Sequence, residues 1–570
     1  MSRKIVHPGR ALVRRLVRFA DDGDGSMIIL SLFLLVLMLM VGGMAVDTMR
    51  FENTRTRLQA TIDRAVLAAA NLNQTLPAAD VVRDYLTRAG LINALVGDPS
   101  VQQGLNYKVV SAQTRLPVQM FFMNMMGINQ MTAPAASTAE ERVTNVEVSL
   151  VLDMSSSMQN NNKLSNLRTA AKSFVSTVLA NNAPGSQGLT TISIVPYSAV
   201  VNIGPDMAAY YPLSSQHDMS YCPLIGANEV TDTWIDTAIT RNRVSDFDYG
   251  AETNTNASPI QRPWCFKPTE NAITIDSSNE SSLRTKIQNL VSFGNTAIDL
   301  GVKWGVSLLD PRSQPMVTGL IGAGKVEAAS AGRPFSFTAP DTLKVLVVMT
   351  DGENTQEYDL AEPYKSGLST IWVNKAHSSD TLGGTSNNRF SILVSDNNTP
   401  NNFTDDTFFW LGQSYYNRIH NYPQGFPDYT KLNGESAQPG QGIDYSSTVR
   451  HLSWQDVYSN WVRTVIYSNF FYEPYRYGYI SYNTYVATYY ALETVMDSTP
   501  ADNRLSATCD AAKAKGIVIY TVAFEASSHG KSTLLDCASS PSHYFDVQGT
   551  NISVAFAAIA SDIAKLKLTQ

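Results

Sequence analysis

The hydrophobic pattern changes character three times along the chain. Residues 26–46 carry no charge, and at about 1.5 Å per helical residue such a run spans roughly 30 Å of hydrocarbon. Over residues 47–73 the apolar positions Phe51, Leu58, Ile62, Ala65 and Ala69 recur at helical spacing, which predicts a stalk helix continuing the first segment. Residues 74–143 read as a small mixed segment whose exit, Thr132-Ala133-Pro134-Ala135-Ala136-Ser137-Thr138, has the composition of a linker. From residue 144 the pattern becomes one of short, nearly continuous apolar runs, at 148–152, 189–201, 345–350 and 516–524. Parallel strands buried on both faces read this way. Helices are predicted over 297–309, 505–515 and 553–566, and a short last strand begins at His543-Tyr544-Phe545. This alternation predicts an α/β fold with an open, mostly parallel sheet. Two insertions interrupt it, at about 205–275 and 354–485. The second holds Tyr467, Tyr472, Tyr475, Tyr477, Tyr479, Tyr482 and Tyr485, residues enriched at interfaces but also common strand formers, and ordinary strand packing is the preferred reading.

Composition narrows the class. The 570 residues are 44% hydrophobic and 16% charged, which suits a globular chain of two to four domains. A net charge of −7 leaves no general nucleic-acid footprint. Arg3, Lys4, Arg10, Arg14, Arg15 and Arg18 precede the uncharged run, so residues 1–25 are expected on the cytoplasmic side, with a single membrane span at 26–46 and the bulk of the chain exported, extracytoplasmic. A cleaved signal peptide is the rival reading, with Gly43-Met44-Ala45 as its small-x-small site; the long basic region and long apolar run favour an uncleaved anchor. The four cysteines have no CxxC spacing, which argues against zinc and thioredoxin-like sites. In an oxidising compartment Cys222 with Cys265 and Cys509 with Cys537 are candidate disulfides, among three connectivities that four cysteines allow.

Candidate chemistry sits where the apolar runs stop. The run at 148–152 ends in Asp153-Met154-Ser155-Ser156-Ser157. Ligands of open α/β sheets bind beyond the carboxyl ends of the strands, and a carboxylate with two hydroxyls placed there is half an oxygen cage for a hard divalent cation. Alone, the same residues equally describe a cap or a turn. A second apolar run ends in Asp351. Other motifs fail on detail. The stretch from Gly319 to Lys325 has phosphate-loop spacing but is followed by Val326 in place of a Ser or Thr hydroxyl. Asp396-Asn397-Asn398 and Asp405-Asp406 lack EF-hand order. The seven histidines form no HExxH, and no GxSxG occurs, so no enzymatic chemistry is indicated.

The stretch FADDGDGSMIILSLFLLVLMLMVGGMAVD, followed by RTRLQATIDRAVLAAA, resembles the N-terminus of TadG-like (tight-adherence, Flp pilus assembly) proteins. The resemblance resumes in SLVLDMSSSM, GNTAIDLGVKWGVSLLDP, VLVVMTDGENT and CDAAKAKGIVIYTVAF. The position five after Gly25 is Leu30, where related pseudopilins have Glu, so pilin-type processing is not expected. Residues 144–570, apart from the two insertions, also resemble the von Willebrand factor A (VWA) domain. That resemblance implies a doubly wound, mostly parallel sheet carrying a metal-ion-dependent adhesion site on three loops. They map here to Asp153, Ser155 and Ser157, to Thr296 in Gly294-Asn295-Thr296, and to Asp351. It further implies Mg²⁺ (or Mn²⁺ or Ca²⁺), with one coordination position left for a partner's carboxylate. The expected function is metal-dependent protein–protein recognition by a membrane-anchored envelope protein in Flp-type pilus assembly or anchoring. Its partners would be envelope or pilus-assembly proteins, not nucleic acid. The alternatives are a structural tether with a vestigial site, or a surface adhesin acting through the aromatic insertion.

Overall fold

The structure, a computed structural model, describes residues 24–569 apart from 72–73, 75, 104–106, 143, 181, 183–187, 227–228, 230, 250–258, 377–388, 397–405, 426–441 and 446–447. The basic tail and the polar stretch from Asn397 to Asp405 lie outside the described residues. The chain divides into two compact units, Met1–Val143 and Thr144–Gln570.

The first unit is built on one uninterrupted helix, α1 (Asp24–Ala70). Its large apolar side chains from Met27 to Val46 are mostly exposed, and it is the one helix among the described residues long and apolar enough to cross a membrane. Further along, Leu58, Ile62, Ala65, Val66 and Ala69 turn to one side and bury against Val81, Val82 and Leu86 of α2 (Ala78–Arg88) and against a small sheet. That sheet has the order β1 (Ser100–Gln103), β2 (Tyr107–Gln119), β3 (Gln130–Arg142), all antiparallel. The expected linker at 132–138 is therefore corrected. These residues belong to a strand in unbroken register with β2, from Tyr107 opposite Arg142 to Gln119 opposite Gln130. Ala133 and Ala135 are buried there, and Pro134 is tolerated because β3 is an edge strand.

The second unit begins with β4 (Asn145–Asp153), buried along its whole length. It is followed by α3 (Lys163–Leu179), β5 (Thr190–Tyr197), β6 (Thr274–Ser277), α4 (Glu280–Gln288), α5 (Ile298–Ser307) and β7 (Thr342–Thr350). Between β5 and β6 lies the first insertion, closed by the Cys222–Cys265 disulfide. A short helix, Gln314–Gly322, runs through the first part of the phosphate-loop-like stretch, so no anion-cradling loop forms there. After β7 come β8 (Glu357–Leu360), β9 (Leu368–Asn374), β10 (Phe390–Ser395), β11 (Thr407–Trp410), β12 (Ile419–His420), β13 (Ile443–Asp444) and β14 (Val449–Ser453). Then follow α6 (Trp454–Asn460), β15 (Leu492–Met496), α7 (Ser498–Ala514), β16 (Val518–Phe524), α8 (Ser528–Cys537), β17 (Tyr544–Val547) and α9 (Ile552–Thr569). The Cys509–Cys537 disulfide ties α7 to α8.

The central sheet has the order β17-β16-β7-β4-β5-β6. Its neighbours are parallel except at β5–β6. Alternation along β4 sends Val146, Val148, Leu150 and Leu152 to a core with Leu167 and Phe174 of α3 and Phe556 and Ile559 of α9. Val151 faces the opposite core with Ile298, Val302 and Trp304 of α5 and Leu505 of α7. Helix α5 lies unusually close to the sheet. A Cβ on Gly301 would fall 2.6 Å from Tyr197, and one on Gly305 2.6 Å from Val151, so glycine at both positions sets that approach. Edge strand β6 carries no apolar run that would predict it and straddles the expected end of the first insertion at about 275.

The second insertion folds as a six-stranded antiparallel sheet, β12-β11-β10-β9-β14-β13, entered and left through the pair β8–β15. The tyrosine-rich stretch is not a strand, which corrects the sequence reading. It forms short helical turns, Tyr472–Arg476 and Tyr482–Ala487, whose rings stack on one another, with Tyr475 and Tyr485 4.8 Å apart. Inside this insertion His451 stacks on Trp372 at 4.0 Å and its Nε2 lies 2.6 Å from the Ser369 carbonyl. Burial pushes the imidazole down from 6.5 to about 4. The folded ring stays neutral while the unfolded one protonates, so its contribution is present above pH 6.5 and is lost as pH falls toward 4. Acidification from pH 7 to about 4.5 is thus expected to destabilise the insertion by up to about 3 kcal/mol through this group. Thermal unfolding at both pH values checks it: the acid-induced drop should be smaller in His451→Phe, and an equal drop would refute the assignment.

Candidate functional site

Three loops meet at the carboxyl edge of the central sheet. The first leaves β4 at Asp153, which is fully buried. The pairing of Leu152 with Met349 brings Asp153 level with Thr350 at the end of β7, and Thr350 Oγ1 donates to Asp153 Oδ2 at 2.6 Å. The backbone N–H of Ser155 donates to the other oxygen at 2.7 Å. The loop thereby curls over its own carboxylate and presents its hydroxyls. Ser155 and Ser157 Oγ stand 2.9 Å apart. Ser157 donates to Asp351 Oδ1 at 2.6 Å, with Ser155 Oγ 3.5 Å from the same atom. Asp351 is the first residue after β7.

Thr296 belongs to the third loop. Gly294 sits at φ +88°, a conformation that side chains resist, and its carbonyl accepts from Ser156 N at 3.0 Å. Thr355 Oγ1 accepts from Thr296 N at 2.9 Å and Asn354 Oδ1 from Ile298 N at 2.7 Å, so the loop after β7 latches the start of α5. The Thr296 hydroxyl faces the backbone beside Asp351, 3.5 Å from where a Cβ on Gly352 would lie. The structure thus brings Asp153, Ser155, Ser157 and Asp351 into one hydrogen-bonded cluster and sets Thr296 at its rim.

Burial, and then the nearby Asp351 carboxylate, raise the Asp153 carboxyl well above its usual range, although Thr350 and Ser155 hydrogen bonds oppose the shift. A pair of carboxylates this poorly hydrated favours a positive charge between them. Part of that charge comes from the chain. Lys163, the first residue of α3, places Nζ 3.0 Å from Asp351 Oδ2 and 3.8 Å from Glu525 Oε2. The sequence pattern does not mark Lys163, Thr350 or Glu525 as site residues. Of the three, Thr350 alone carries a sequence signal, as a hydroxyl ending an apolar run. Among the described residues no three His, Cys, Asp or Glu side chains group as metal ligands. The cluster instead offers two carboxylates and hydroxyls, an all-oxygen donor set of the kind hard divalent cations take.

Residues 25–72 match the family model described as putative Flp pilus-assembly TadE/G-like. No curated protein matches the chain in sequence. Among solved structures, the chain is similar to the vWF domain of the type V pili tip protein Mfa5 from Porphyromonas gingivalis, at 14% identity over 75% of this chain and 97% of that one, with a TM-score of 0.30. It is also similar to the pilus adhesin SpaC from Lactobacillus rhamnosus GG, at 11% identity, 82% of this chain and TM-score 0.28, spanning about a third (34%) of that protein. A third is the adhesive tip pilin GBS104 from Group B Streptococcus agalactiae, at 13% identity, 73% and 99% coverage and TM-score 0.30.

Proposed function

We propose that the chain is a membrane-anchored component of a Flp-type pilus assembly apparatus, with a VWA-type second unit that recognises a partner protein through a divalent cation. The observation that carries the cation reading is the convergence of Asp153, Ser155, Ser157 and Asp351 at the strand ends, with the Ser157–Asp351 contact at 2.6 Å. The pilus reading is supported by the family match over residues 25–72, which covers the apolar half of α1 and its continuation. The donor set suits Mg²⁺, with Mn²⁺ or Ca²⁺ as substitutes. Asp153, Ser155, Ser157, Thr296 and Asp351 would hold it, and the bound cation would supply an open position for a partner's carboxylate. The anchor would lie in the inner membrane with its N-terminus cytoplasmic and both folded units outside the cytoplasm. Envelope or pilus-assembly proteins are the proposed partners.

One observation favours a second reading. Lys163 already neutralises Asp351, as it would in a structural tether whose site has lost its cation. The two readings part in living cells. With the Asp153→Ala chain present at wild-type level, pili counted by electron microscopy are expected to be lost or sharply reduced. Wild-type numbers of pili would put the tether first.

A further inference from the structure

The turn between β2 and β3 is apolar and exposed, and lies outside the membrane-spanning run. From Met120 to Ile128 it reads Met-Phe-Phe-Met-Asn-Met-Met-Gly-Ile, with a single polar side chain. Phe121 is 64% and Met125 68% exposed, and Phe122, Met126 and Ile128 are each exposed as well. Contiguous apolar exposure of this kind marks a contact surface. The covering partner follows from where the turn is held.

The turn is fastened to α1 at the end of the uncharged run. Asp47, the first charged residue after that run, is fully buried, and its carboxylate accepts the backbone N–H groups of Phe121, Phe122 and Met123 at 3.1, 2.7 and 2.8 Å. One turn earlier, the Phe122 ring lies so close over Gly43 that a Cβ there would fall 2.4 Å from it. Gly43 is inside the apolar run, so the tip reaches back along the helix to a level that the bilayer surrounds once α1 spans it. The Arg50 guanidinium sits 4.0 Å over the Phe121 ring. This places a cation where phosphate headgroups begin and apolar groups just below, the arrangement of an interfacial anchor. With the N–H groups of Phe121, Phe122 and Met123 satisfied by Asp47, and those of Met125, Gly127 and Ile128 by carbonyls within the turn, its backbone carries less polar cost into the headgroup boundary.

We propose that the 121–128 turn is a second membrane contact, dipping into the leaflet next to the folded units and fixing the tilt of α1 against the β1–β3 sheet. This rests on the reading of α1 as a membrane anchor, and the test separates the two. The full chain, its native cysteines in disulfides, is reconstituted in phosphatidylethanolamine/phosphatidylglycerol vesicles with one added cysteine, at Met125→Cys, Met126→Cys, Ala136→Cys or Leu35→Cys. Each carries an environment-sensitive NBD label. Labels at 125 and 126 are expected to emit to the blue and to be quenched about twofold or more by lipids with a nitroxide near the headgroup, while 136, on the same hairpin, stays unquenched. Label 35 should respond to a nitroxide deep in the acyl chain. If 35 is quenched but 125 and 126 behave as 136 does, the tip proposal fails and the anchor stands. If 35 is also unquenched, the anchor fails first. Energy transfer between copies labelled at 126, without lipid quenching, would assign the tip to a second copy and overturn the proposal equally.

Discussion

Titration with Mg²⁺ or Mn²⁺ is expected to give saturable binding by the wild-type chain and none by the Asp153→Ala variant. Asp153 and Asp351 are both buried, and the Lys163 ammonium pairs with Asp351; a buried carboxylate pair without enough counter-charge is costly. Removing Asp153 relieves that repulsion while sacrificing two hydrogen bonds, so the variant should fold. Its loss of binding would then be a property of the site. A thermal melt gives an independent readout. At a free cation concentration a hundred times Kd, the wild type gains about 2.7 kcal/mol, and Asp153→Ala gains nothing. Lys163→Met supplies the opposite sign. Its ammonium occupies the Asp351 oxygen that a cation would also attract, so removing it is expected to tighten binding about tenfold. Unchanged binding in Asp153→Ala, or no binding in either the wild type or Lys163→Met, would end the cation reading.

Arg504→Met is expected to cost about 3–5 kcal/mol of stability. Arg504 is buried on α7 and donates through Nε to Asp299 of α5 at 2.6 Å, through Nη2 to Glu357 of β8 at 2.6 Å, and through Nη1 to the Ile225 carbonyl of the first insertion at 3.2 Å. One side chain therefore joins α5 and α7 to the stem of the second insertion at β8 and to the interior of the first insertion. Methionine fills much of the volume but leaves two buried carboxylates with no cation. Burial already raises the proton affinity of Asp299 and Glu357, and without Arg504 it rises further. Such groups bind protons more tightly folded than unfolded, so the variant's deficit should be smallest in acid and grow with pH. Denaturant midpoints at about pH 5 and pH 8 measure it. A deficit under about 1 kcal/mol at both would show that the network is dispensable.

The parts of this protein legible in its sequence are those where one physical demand dominates. Strands β4, β7 and β16 are covered on both faces, so every position must be apolar or paired and the run shows at a glance. A carboxylate at the end of such a run stands out for the same reason, which is how Asp153 and Asp351 could be picked. Lys163 could not, because nothing in a helix-starting lysine reports that its ammonium will reach a carboxylate 188 residues away. The 132–138 strand was hidden by its small residues and proline, which read as a linker until α1 is laid over them. The tyrosines misled in the other direction. Strand preference of aromatic residues reflects packing on a pleated surface, and their mutual stacking serves short helical turns equally well.

The β8–β15 pair gives the second insertion a single doorway. Leu360 lies opposite Leu492, so the antiparallel sheet departs from the central sheet and returns to it through one pair of strands. To the central sheet that whole antiparallel lobe is topologically a hairpin loop. A change of length on the side of the lobe away from β8 and β15 therefore need not alter the register of the central sheet, provided the threshold at Arg504 and Glu357 is kept.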